Sequence, residues 1–353
     1  GEFQSLLSGA RHQVTVRRKR VDARYFSPSV PSTHQPRFSV APGVRLLPPN
    51  ALPGLWQGMS RDPGAETPAQ RFVVLGAGKT AMDTLIWLMA SGADPAQLEW
   101  VVPRDSWLVN RVTTQAGLAF FKECIGSQVD QMAALATATS TEDLFLRLEA
   151  CGALLRIDTQ RMPSMFHLAT MTPAEVAVLR RVQQVVRLGR VQAVHADHLQ
   201  LEQGQVPVQP GSLFIDCTAS AVEARPVRPI FQAGEIVLQM VRLPQPAFSA
   251  ALTAYVEAHY EGDKEKNRLC GSVPFPQTLA DYPKAMMVAM WNQFQWGQDK
   301  PLREWIRSSR LDGFGKLVSG IAPDDHEKRD IVARFKQQAA AAMANIPKLV
   351  AGG

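Results

Sequence analysis

Apolar positions along this chain fall into short unbroken runs and into longer runs at helical spacing, a mixture that predicts an α/β protein. Phe72-Val73-Val74-Leu75 is continuous and of strand length, as in a parallel strand buried on both faces. Ala81, Leu85, Leu88 and Met89 then recur at helical spacing, predicting a helix over 79–91 that stops at Ser91-Gly92. A second strand is predicted over 98–102, ended by Pro103, and a further buried strand over 213–217. Residues 116–151 are helical by pattern, with Ser140 as a candidate N-cap and Cys151-Gly152 at the end. Thr172-Pro173-Ala174-Glu175 combines a capping box with proline at the first helical position, which marks a helix start. Residues 191–194 and 199–201 predict a hairpin with His195-Ala196-Asp197-His198 at its tip.

The two ends read differently. Residues 3–7 and 14–16 predict a hairpin, followed by a short strand over 20–23. A proline-rich stretch over 27–33 leads into an irregular connector that runs to Arg71, with an exposed loop at Asp62-Pro63-Gly64. The last third predicts a strand over 236–241 and helices near 248–260, 283–296, 301–308 and 327–345. Trp291, Trp296 and Trp305 on these helices read as core. A length of 353 residues suggests two domains or one large one.

Composition narrows the classes. No uncharged apolar run approaches the ~18–20 residues of a membrane span, so no membrane partner is expected. The net charge of +6 includes one visible cluster, Arg17-Arg18-Lys19-Arg20. Valines flank it and no aromatic platform accompanies it, so it reads as an exposed turn rather than a nucleic-acid surface. Cys124, Cys151, Cys217 and Cys270 are widely spaced, with no Cys-x-x-Cys, so neither a dithiol centre nor a metal site is expected. Reduced thiols fit a cytoplasmic protein.

The candidate chemistry lies in Gly76-Ala77-Gly78-Lys79-Thr80-Ala81, a Gly-x-Gly-x-x-Ala between a predicted strand and a predicted helix. In that context Gly76 permits a tight turn and Gly78 leaves a diphosphate free to approach the backbone. Ala81 lets the helix sit close to the strand. Lys79 and Thr80 are extra donors. A P-loop would require glycine at position 73, where Val73 stands, so a dinucleotide fits better than ATP or GTP. Glu99 has roughly the ~20-residue spacing of a ribose-binding acid, but it opens the second strand rather than ending it. Past the end of that strand stands Arg104, with Arg111 nearby. Arginine there suits the 2′-phosphate of NADP more than the bare ribose of NAD. The alternative role for Arg104 is a loop charge or a partner for Asp105. Asp216 reads as a hydrogen-bonded residue of a crossing more than as a functional carboxylate at a strand end. Gln245-Pro246-Ala247-Phe248-Ser249 reads either as a phosphate-facing helix start or as a helix with Ser249 for its N-cap.

The order of parts resembles the two-dinucleotide-domain flavoproteins, the group of flavin-containing monooxygenases and pyridine-nucleotide-disulfide oxidoreductases. The residues that carry the resemblance are 76–83, the stretch 21–31 as a first crossing between domains, and 214–219 as a second. Residues 76–83 and Met165-Phe166-His167 are also similar to a set of bacterial FAD/NAD(P)-binding proteins. The resemblance implies a Rossmann-like nicotinamide-nucleotide domain (70–218) inserted in the remnant of an FAD-binding domain. The remnant would comprise 1–69 together with 219–353, the latter ending in a helical region. It implies NADP (or NAD) as cofactor with FAD in the complete protein, and hydride transfer from NADPH to FAD on behalf of a small-molecule substrate. Both crossings depart from the family's Ala-Thr-Gly, and no Gly-x-Gly-x-x-Gly precedes Phe3. The expectation is therefore a chain that lacks the opening FAD segment. A nicotinamide-only dehydrogenase and a non-catalytic nucleotide-binding module stay open beside this reading.

Overall fold

Phe72, Val73, Val74 and Leu75 have no exposed surface, and their side chains divide by alternation between two cores. Phe72 and Val74 join one apolar cluster, Val73 and Leu75 another. This is the centre of a five-stranded sheet in a computed structural model that describes residues 1–59, 62, 67–115, 117–220 and 222–352. The strands are β1 (Arg45–Leu47), β2 (Phe72–Leu75), β3 (Leu98–Val101), β4 (Gln184–Val186) and β5 (Leu213–Asp216). Their order is β4-β3-β2-β5-β1, and every pairing is parallel. Leu75 stands opposite Val101 on one side and Asp216 on the other, so these strands end at one edge.

One face of the sheet is covered by helices. In α1 (Lys79–Ala90), the buried Ala81, Met82, Leu85 and Leu88 meet Phe72, Val74, Leu98 and Trp100. A second helix, α2 (Pro173–Leu179), adds Val176 and Leu179 to the same cluster. Its capping box is formed as expected: the Thr172 hydroxyl accepts from Glu175 N at 3.1 Å, and the Glu175 carboxylate accepts from Thr172 N at 2.7 Å. The other face packs on a four-stranded layer of Gly204–Pro207, His198–Leu201, Val191–Val194 and Ser39–Val40. Residues 191–201 form the expected hairpin, with the His195 and His198 rings stacked at its tip. The strand Gly204–Pro207 beside it has no counterpart in the sequence reading.

One further expectation needs correction. The segment before Arg71 is not an irregular connector throughout. It supplies β1, because Leu46 and Leu47 find parallel partners in Phe214 and Ile215, and it supplies Leu52 and Trp56 to the helical-face core. The expected loop at Asp62-Pro63-Gly64 lies largely outside the described residues. The stretch 116–151 is largely helical, as expected, with Ser140 opening its second helix. A 3₁₀ turn at Leu118–Phe120 and a π-helical turn at Lys122–Gly126 run into Ser127–Thr137, the chain breaks, and Thr141–Ala150 follows with Ser140 as its N-cap. The C-terminal helix His326–Ala351 packs along Ser127–Thr137, where Asn345 Nδ2 donates to the carbonyls of Leu135 and Ala138, each at 2.9 Å.

The chain divides into two compact units. The elements above belong to the one made of residues 28–223, 276–283 and 316–353. The other comprises 1–27, 224–275 and 284–315. In it Glu235–Val237 pairs in parallel with Arg20–Asp22 and antiparallel with Phe231–Gln232. Helices Pro246–His259, Asp263–Leu269 and Lys300–Ser308 enclose a core of Phe231, Phe248, Leu252, Leu269, Trp296 and Leu302. The basic run is pinned here, with Lys19 on Asp263 (2.5 Å) and Arg20 on Glu235 (2.7 Å). Trp296 is core and Trp305 packs against it, but Trp291 is 49% exposed beside Phe294, contrary to expectation. Ser249 is not an N-cap. It lies within the helix, where its hydroxyl accepts from Val241 N and donates to Gln245 O. The protein is thus mixed α/β, with parallel and mixed sheets and a helical C-terminal part.

Candidate functional site

Strand order locates the crevice. From β2 the chain moves to β3 and β4 on one side, whereas β5 and β1 lie on the other. Beyond the carboxyl ends of the strands, such a reversal between β2 and β5 opens a gap in which α/β proteins seat ligands. The glycine turn stands at that gap.

The two glycines meet different demands. Gly76 has φ +120°, and a Cβ there would lie 2.6 Å from the Cys217 carbonyl oxygen. Its N–H donates to Val101 O at 3.0 Å, and its carbonyl accepts from Trp100 Nε1 at 2.6 Å. The fold itself therefore requires glycine at 76. Gly78 has φ −82°, and a Cβ built on it meets nothing within 4 Å. No packing contact accounts for glycine there. The residue is exposed and opens α1, whose first N–H groups have no preceding turn to bond. Ala77 lines a narrow recess with Met82, Trp100, Val102 and Ser106. The Lys79 ammonium folds back on the Asp83 carboxylate one turn along. The Thr80 carbonyl accepts from Thr84 Oγ1 at 2.8 Å.

Arg104 follows β3 and is exposed. Burial of part of its side chain and the neighbouring Arg190 lower its pKa from the ordinary arginine value, with Glu202 acting the other way. Arg104 is not the partner of Asp105. That carboxylate is gripped by Arg187, just past β4, at 2.9 and 3.1 Å, and Arg187 also reaches Asp158 at 3.4 Å. Burial lowers the pKa of His167, a hydrogen bond with Gln277 opposes this, and the Arg104 charge adds to it. Arg111 is turned to α2, donating to Thr170 O at 3.1 Å and pairing with Glu175 at 3.5 Å. Glu99 stands opposite Val73 and Gln184, at the end of the strands away from the turn. It is buried, and burial raises its carboxyl above the usual range against the pull of Arg71. It does not reach the crevice.

On the β5 side, Asp216 accepts from Thr218 N at 2.9 Å and from Thr218 Oγ1 at 2.6 Å, as a hydrogen-bonded strand-end residue should. His34 Nε2 lies 3.2 Å from the same hydroxyl. No spacing or motif marks His34 in the sequence. Cys217 is buried between them against Thr84, and burial pushes its thiol up to about 12. All four cysteines are free, and burial raises the pKa of each. Among the described residues, no group of three or more His, Cys, Asp or Glu could hold a metal ion. Nor is any described helix long and apolar enough to cross a membrane.

The chain is 40% identical over 350 residues, 99% of its length, to uncharacterized proteins of Mycobacterium bovis and of two strains of Mycobacterium tuberculosis. It spans 63% of the length of these relatives. No family model matches the chain, and no solved structure matches it.

Proposed function

We propose that this chain is the nicotinamide-nucleotide-binding part of an NADPH-dependent flavoprotein oxidoreductase of monooxygenase-like type. In the complete protein NADPH would pass a hydride to FAD, in the cytoplasm and on behalf of a small-molecule substrate. On this reading, the Rossmann-like domain takes in β1 as well as residues 70–218 and is inserted in an FAD-binding domain. The observation that carries it is Gly78: a glycine that the packing does not require, at the opening of a helix, at the switch point of a parallel sheet. The turn fits a dinucleotide diphosphate, because the open space at Gly78 lets the phosphates approach and the N-terminus of α1 favours negative charge. Gly76, Ala77, Gly78, Lys79 and Thr80 would hold the diphosphate, with Lys79 exchanging Asp83 for a phosphate oxygen. Arg104 would hold the 2′-phosphate. Arg111, engaged with Glu175, would support the wall of the site rather than touch the ligand. The bound nucleotide supplies a hydride; the protein supplies its place and the field around it.

The test is a titration of the purified chain with NADPH, followed by nicotinamide fluorescence. Gly78→Val should abolish binding while circular dichroism and melting temperature stay close to wild type. Unchanged affinity in the folded variant, or no binding by the wild type, overturns the proposal.

A further inference from the structure

The gap between β2 and β5 carries a second polar group, on the side of the glycine turn away from β3 and Arg104. It is built from Asp216 at the end of β5, Thr218 two residues on, and His34 from the loop before the strand Ser39–Val40. The Cys217 carbonyl that crowds Gly76 lies between Asp216 and Thr218, so the group adjoins the turn directly. The side chains of His34 and Asp216 are only 9% and 8% exposed.

Proton bookkeeping fixes the ring. The Thr218 hydroxyl has one proton, and the carboxylate 2.6 Å away can only accept it. The hydroxyl oxygen is then an acceptor toward His34 Nε2 at 3.2 Å, so Nε2 carries a proton. Asp216 Oδ2, 3.9 Å from the same nitrogen, favours this arrangement electrostatically. In the neutral imidazole the acceptor is therefore Nδ1. A nearly buried ring with its tautomer set by a threonine and an aspartate is more than the packing of a loop demands.

A dinucleotide whose diphosphate lies at the turn extends one nucleoside to either side along the carboxyl edge. With the 2′-phosphate end toward Arg104, the nicotinamide end falls over β5. We propose that His34, positioned by Thr218 and Asp216, binds the nicotinamide carboxamide, its Nδ1 accepting from the carboxamide NH₂. The inference rests on the nucleotide reading above.

Two ligands separate the two claims. NADPH has both ends, whereas adenosine 2′,5′-bisphosphate has only the adenosine and its phosphates. In calorimetric titrations, His34→Ala should weaken NADPH about tenfold, the loss of one hydrogen bond, and leave the bisphosphate within about twofold. His34→Asn, whose amide oxygen comes close to the place of Nδ1, should recover part of the NADPH affinity and provides a second folded variant. Asp216→Asn, which leaves the ring but loosens its tautomer, should fall between. Equal losses for both ligands, or none for either, overturn the proposal. So does a wild type that binds the bisphosphate as tightly as NADPH, although the glycine site would then stand. A wild type that binds neither ligand overturns both.

Discussion

At the residue scale, Gly76 and Gly78 stand two positions apart and should respond oppositely. Alanine at 76 meets a φ of +120° and a carbonyl oxygen at 2.6 Å. A cost of roughly 1–3 kcal/mol follows from strain of that kind, together with a shift of β5. Alanine at 78 meets neither, so stability by urea unfolding should change by less than about 0.5 kcal/mol, while NADPH affinity falls. Arg104 has a different signature. Arg104→Ala should weaken NADPH by about 1–3 kcal/mol, the scale of a charge-assisted contact, and leave NADH nearly unchanged. Equal losses for the two nucleotides would assign Arg104 a role in the loop instead. The thiols are the third case. With each raised by burial, none is a thiolate nucleophile at neutral pH, and replacing all four with alanine or serine in a folded variant should preserve nucleotide binding.

At the scale of elements, the segment before β2 behaves as part of the sheet domain. Trp56 is 2% exposed, stacks on Phe72 at 5.6 Å, meets Trp87 edge-on at 5.1 Å, and donates to Ser91 O at 2.9 Å. It therefore ties the segment to β2 and to the end of α1. Trp56→Ala should cost roughly 3–5 kcal/mol, read as a lowered urea midpoint. An effect below about 1 kcal/mol would mean that the segment is only draped on the surface. The capping box of α2 is a smaller and separable contribution. Thr172→Ala removes the acceptor for Glu175 N and should cost about 1 kcal/mol.

Across the whole molecule, buried thiols and phenols shape the response to alkali. Cys217 and Cys270 are each pushed up to about 12 from an ordinary 9.0, and Tyr282 to about 12 from 10.0, by burial first of all. Above pH 9 the unfolded chain releases thiol protons that the folded chain keeps. Unfolding is then favoured as pH rises, and stability present below pH 9 is progressively lost toward pH 12. The slope is about 1.4 kcal/mol per pH unit for each thiol. Because Cys217 and Cys270 lie in different units, Cys217→Ala should relieve part of the alkaline loss in the unit that holds the glycine turn, where Tyr282 also lies, and leave the other unchanged. Hydrogen exchange at pH 8 and pH 10 would distinguish the two.

What the sequence determined by itself was local. The unbroken run at 72–75, the helical spacing of 81–89 and the capping box at 172–175 are written in neighbouring residues, because side-chain alternation and hydrogen-bonded turns act over a few positions. The α/β character and the place of the glycine turn followed from these. Tertiary structure decided the rest. β1 is a strand only because Phe214 and Ile215 offer partners far along the chain, and the short proline-bounded sequence around it has no periodicity of its own. Gly76 and Gly78 look alike as letters; the φ of one and the open space beside the other appear only when Cys217 is packed against the turn. His34 meets Thr218 across 184 residues of sequence. A hydrogen bond of that span leaves no spacing to read, because what brings the two side chains together is the order of strands in the sheet.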